Sequence, residues 1–131
     1  MTPLSGSGTA AEHDELPSTD PGALDRLRRF GGNKLLSEMI SLFTTAVPER
    51  LGAARAGLEA GDARVTELAL HSLKSSSAQL GALRMQRLSE EGELIARTGS
   101  LVGVDALVTQ LESEYPSVQA WLERARTAVS P

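Results

Sequence analysis

Residues 61–82 read GDARVTELALHSLKSSSAQLGA, and the fold is decided there. Gly61-Asp62 is a helix stop followed by an N-cap, and Leu80-Gly81-Ala82 ends the helix that Asp62 begins. On a wheel of about 100° per residue, Ala69, Leu73, Ser76 and Leu80 lie on one side. His71 stands at the middle of the opposite side, with Arg64, Glu67, Lys74, Ser75 and Ala78 within about 60° of it. A helix divided in this way must bury its apolar stripe against other helices while its polar face meets solvent.

The flanking sequence supplies those helices. Upstream, Asn33 is placed to cap a helix whose stripe is Leu35, Leu36, Met39, Ile40, Leu42 and Phe43. Pro48 should kink or restart it, and the pattern resumes through Leu51, Ala54 and Leu58. A shorter leading helix is predicted from the N-cap Asp20 and Pro21 through Leu24, Leu27 and Phe30, ending at Gly31-Gly32. Downstream, a helix over roughly Leu83 to Arg97 turns Leu88, Leu94 and Ile95 inward and stops at Thr98-Gly99. The last starts near Val104, carries Leu107, Leu111, Val118 and Leu122, and must tolerate Pro116. No stretch alternates like a strand and no segment repeats. Short connections make neighbouring helices antiparallel, so the expected class is all-α: an up-down antiparallel four-helix bundle with a short extra N-terminal helix, over 21–128. Residues 1–20 mix Gly, Ser, Thr, Pro and acids without periodicity and read as a flexible tail or linker, with His13 solvated among acids.

Composition narrows the function classes. A chain of 131 residues is one domain, and with 40% hydrophobic but only 3% aromatic residues its core is built from Leu, Ala, Val and Ile. Thirteen basic against seventeen acidic residues leave a net charge of −4, which removes the basic footprint that nucleic acid needs. The absence of cysteine removes disulfides, thiolate metal sites and thiol nucleophiles. The opening MTPLSGSGTAAEHDE has neither the basic nor the apolar region of a secretory signal, and no 18 apolar residues run together. A cytoplasmic monomer that binds no nucleic acid and no membrane is the expectation, the monomer because no apolar stripe looks exposed.

Chemistry concentrates at His71. Lys74 and Ser75, three and four residues on, share its face, and a cation there stabilises negative charge placed on the ring, such as a phosphoryl group. The small Ser75 and Ala78 leave an open shelf for a partner's active site. A hairpin about Gly81-Ala82 brings residues 71 and 93 level, so Glu93 is a candidate to accept a hydrogen bond from Nδ1 and leave Nε2 as the nucleophile. A solvated Glu93 and an ordinary exposed histidine are the bland alternatives. No second histidine stands near for a metal, and no Gly-rich loop suggests a nucleotide site. Ser75-Ser76-Ser77 lacks a second histidine or acid to activate it; Ser76 is expected to face inward and bond a backbone carbonyl.

Gly61-Asp62, then Leu70-His71-Ser72-Leu73-Lys74-Ser75-Ser76-Ser77 and Leu80-Gly81-Ala82, resembles the histidine-containing phosphotransfer (HPt) domain family, whose signature runs AH-x-LKG-S-S-x-x-LGA. A weaker similarity extends from about Leu24 to Leu122 through Gly31-Gly32 and the Leu42-Phe43 before Pro48. The resemblance implies a stoichiometric phosphoryl carrier with no bound cofactor, exchanging phosphate between His71 and the aspartate of a response-regulator receiver domain, or taking it from a histidine kinase. Mg2+ is then expected on the receiver. It also implies Lys74 as the basic neighbour and Glu93 at the position where relatives set Glu or Gln against the histidine. Arg64, Glu67, Leu68, Leu70, Ser75 and Ala78 are the expected docking face. Two positions depart from the pattern: Ser75 replaces the usual Gly, and Leu70 replaces the common Ala, which is expected to enlarge the apolar rim. A C-terminal segment of a hybrid sensor kinase, or a helical adaptor that binds receivers without carrying phosphate, are the alternative readings.

Overall fold

The computed structural model describes residues 18–129. Of the tail read over residues 1–20, residues 1–17, His13 included, lie outside them, and residues 18–20 are held against the bundle. Four helices follow in order: α1 (Pro21–Ala60), α2 (Ala63–Leu80), α3 (Leu83–Arg97) and α4 (Val104–Val129). α1 packs on α2 and α4, and α3 packs on the same two, which is the square of a four-helix bundle.

Local signals set the ends. Asp20 accepts from the Gly22 amide at 3.0 Å and Asp62 from Val65 at 3.1 Å, each satisfying one of the amides a helix start leaves free. The chain before α1 is tied to the α2–α3 turn: the Asp20 amide donates to Gly81 and the Leu83 amide to Ser18, at 2.8 and 3.0 Å. Ser18 Oγ also bonds Glu114 on α4.

The leading helix is the first part of α1: Pro21–Ala60 is two helices joined across a kink at Gly32, whose φ of 74° and ψ of −172° leave helical space where a side chain would be strained, so the break falls at the predicted Gly31-Gly32. Pro48 neither kinks nor restarts α1, since only Gly32 departs from helical angles. The proline removes the amide that would bond the Thr44 carbonyl; the Tyr115 hydroxyl of α4 donates to that carbonyl instead, at 3.3 Å.

Leu36, Ile40, Leu70, Leu73, Leu80, Met85, Leu88, Leu111 and Leu122 form the centre of the core. Burying each such side chain contributes about 1.5–3 kcal/mol. Three residues that periodicity put inward face out: Phe30 (89% exposed), Leu42 (65%) and Leu94 (51%). Val65 and Leu68 on α2 and Val102 before α4 are exposed as well. Ile95 is half-buried against the core.

Candidate functional site

α2 carries His71 with its side chain 58% exposed, facing solvent as the wheel requires. Behind it, on α3, Glu93 is 2% exposed. The imidazole Nδ1 lies 2.7 Å from Glu93 Oε2. The hairpin level placed these residues together; their closeness depends on Gly92. A Cβ at Gly92 would stand 2.8 Å from Cδ1 of Leu70, a core side chain with nowhere to move. The missing methyl lets α3 settle onto α2 and delivers the next residue, Glu93, beneath the ring.

A buried carboxylate needs partners. Glu93 has three: His71 Nδ1 and Arg97 Nη2 (2.9 Å) on Oε2, and Lys74 Nζ (2.8 Å) on Oε1. Burial works to raise the Glu93 pKa. The hydrogen bonds from Lys74, His71 and Arg97 outweigh it and hold the carboxyl below its ordinary value. An ionised carboxylate only accepts, so Nδ1 carries the hydrogen and Nε2 presents its lone pair to solvent. The ammonium of Lys74 keeps two further donors beyond the one spent on Glu93.

The remaining docking-face residues divide. Arg64, Leu68, Ser75 and Ala78 are exposed around His71, and Glu67 is largely covered by its ion pairs with Arg64 (3.3 Å) and Arg97 (3.6 Å). Leu70 does not belong to this face: it is fully buried in the core. Adjacent residues on a helix point about 100° apart, so standing next to His71 in sequence turns Leu70 inward. The serine run is corrected by one position. Ser77 is the buried one, and its hydroxyl has no hydrogen-bond partner, while Ser76 is only half-buried. Of the two readings of Glu93, the solvated one fails: the carboxylate is buried against His71. Sequence reasoning missed Arg97, which the i,i+4 spacing from Glu93 could have signalled, and Val65, exposed beside Leu68 in a shallow groove that Arg50 and Ser72 also line.

Among the described residues no cluster of His, Cys, Asp or Glu could hold a metal ion, and no helix is long and apolar enough to cross a membrane. Fold and site define a class: a helical bundle that presents one steadied imidazole to a partner from an open surface. The chain belongs to the Hpt domain family, whose model matches residues 38–121, and its role is in the phosphorelay of two-component signalling. The crystal structure of histidine-containing phosphotransfer protein B (HptB) from Pseudomonas aeruginosa PAO1 is similar, with a TM-score of 0.81 and 28% identity over 88% of this chain and 100% of that one. The HPT domain of the Hpt sensor hybrid histidine kinase from Shewanella shares the fold at a TM-score of 0.73, with 19% identity over 87% of this chain and 97% of that one. No curated protein matches the chain.

Proposed function

We propose that His71 is the phosphoryl acceptor of this Hpt domain and that it exchanges phosphate with the aspartate of a receiver domain. The observation that carries the reading is the 2.7 Å bond from Nδ1 to a buried, ionised Glu93, which leaves Nε2 free. The Nε2 lone pair attacks phosphorus of a receiver phospho-aspartate; an N–P bond forms, the P–O bond to the aspartyl carboxylate breaks, and the carboxylate leaves. The ring, still protonated at Nδ1, gains positive charge that the Glu93 carboxylate offsets from behind. Lys74 turns its spare donors to the phosphoryl oxygens. The receiver supplies its own acidic pocket and Mg2+, whose charge neutralises the transferring group.

Arg64, Glu67, Leu68, Ser75 and Ala78 form the docking face, with Leu68 its apolar contact. The domain acts as a cytoplasmic carrier that is regenerated at each transfer and needs no nucleotide site of its own. Incubation with a phosphorylated receiver and Mg2+ tests this. Acid-labile, alkali-stable label should appear on the wild type and be absent from His71→Gln. Label persisting on the variant would move the acceptor elsewhere, and binding without label would favour the adaptor reading. Leu68→Ala should weaken receiver affinity and slow transfer; unchanged values would remove Leu68 from the docking face.

A further inference from the structure

The relay chemistry described so far leaves Arg97 unused. It stands one turn beyond Glu93 on α3 and donates from Nη2 to Oε2 at 2.9 Å, the same oxygen that His71 Nδ1 meets. Its Nε lies 3.6 Å from Oε2 of Glu67, one turn before His71 on α2. Glu67 is fixed in turn by Arg64. Arg97 therefore bridges two carboxylates, one on each helix of the hairpin that carries the site.

Lys74 alone would neutralise Glu93. It would not orient it, because the terminal torsion of a glutamate is broad and one point charge on Oε1 leaves the carboxylate plane free to turn. With Arg97 hydrogen-bonded to Oε2 and Lys74 ion-paired with Oε1, rotation breaks the Arg97 bond and moves Oε1 off the ammonium at once. The Oε2 lone pair that Arg97 leaves is the one aimed at the imidazole. Glu67 keeps the guanidinium from swinging out to solvent, to which Arg97 is otherwise half open.

We propose that Arg97, anchored by Glu67, is a positioning residue that locks Glu93 Oε2 onto Nδ1 of His71 and so sets the ring tautomer and the rate at which Nε2 takes up phosphate. This rests on His71 being the acceptor. The test reads the 15N resonances of the His71 ring beside label uptake from a phosphorylated receiver, in Arg97→Gln, Arg97→Lys and Glu67→Gln. The wild type should show one tautomer, with the hydrogen on Nδ1. Arg97→Gln should show a mixture and take up label roughly tenfold more slowly, the worth of one charge-assisted bond. Arg97→Lys should restore most of the rate, and Glu67→Gln should move both readouts the same way by less. An unchanged tautomer in Arg97→Gln, or equal slowing by Gln and Lys, overturns the inference while loss of label in His71→Gln still stands. Label surviving in His71→Gln overturns both.

Discussion

Of the charge clusters that join helices in this bundle, those around Glu93 and Arg55 make different uses of the same side chains. Around Glu93, a carboxylate is buried and its partners Lys74, Arg97 and His71 reach toward solvent. Around Arg55 on α1 the order is reversed: a half-buried guanidinium meets exposed Asp105, Thr109 and Glu112 on α4. Glu93 has no water to fall back on, so each partner it loses costs desolvation that nothing replaces. Asp105 and Glu112 can be solvated at once. A buried acid is thus committed to its geometry, which suits a group that must aim an imidazole; the Arg55 cluster only fastens two helices.

The largest effect that sharpens this contrast comes from stripping Glu93 of both cations. Lys74→Met with Arg97→Met leaves a buried carboxylate with only the imidazole, and the domain should lose about 3–5 kcal/mol of unfolding free energy by chemical denaturation. A loss below that for an exposed pair would put Glu93 in the same category as Glu112. Somewhat smaller is Gly92→Ala. The added methyl meets Leu70 at 2.8 Å and must push α3 off α2, costing about 1–3 kcal/mol of overpacking. Because the shift falls one residue from Glu93, label uptake by His71 should slow as well. Lost stability with unchanged uptake would separate the helix contact from the site.

Acid should act on one cluster more than the other. The folded-state pKa of Glu93 is depressed, so its contribution is fully present above the ordinary glutamate value and is lost as pH falls through the lower folded value. Unfolding free energy of the wild type should therefore drop on acidification by more than that of Glu93→Gln, which has no carboxylate there to protonate. Parallel curves from neutral pH down to pH about 3 would show that Glu93 gains nothing from its partners.

Much of this was readable from sequence wherever the information is local. Asp20 and Asp62 cap the helices they were expected to cap, Gly61 and Gly81 end helices in the left-handed conformation, and His71 faces solvent because one helix's own periodicity decides it. Reading failed where the answer lies in a neighbouring helix. Pro48 looked disruptive because its missing bond is local, whereas the Tyr115 hydroxyl that compensates arrives from α4. Glu93 came level with His71 by counting through the hairpin, but its burial depends on how closely Gly92 lets α3 approach, which no count reveals. On α2 the buried arc includes Leu70 and Ser77 and is centred nearer them than Ser76, because α1 and α3 both pack on the helix and together decide which arc they cover.

The smallest effect should come from the Arg55 cluster. Arg55 ties α1 to three side chains of α4, Asp105, Thr109 and Glu112. Its acidic partners are exposed, however, so each pair has the strength of a surface ion pair and is screened by salt. Arg55→Ala should cost about 1 kcal/mol or less at low ionic strength, and less still in 1 M salt. Uptake of label at His71 should not change, since Arg55 contacts neither Glu93 nor the α2–α3 hairpin through any of these bonds. A loss of several kcal/mol that salt does not weaken would mean that the number of partners, and not the burial of the acid, governs what a charge cluster contributes here.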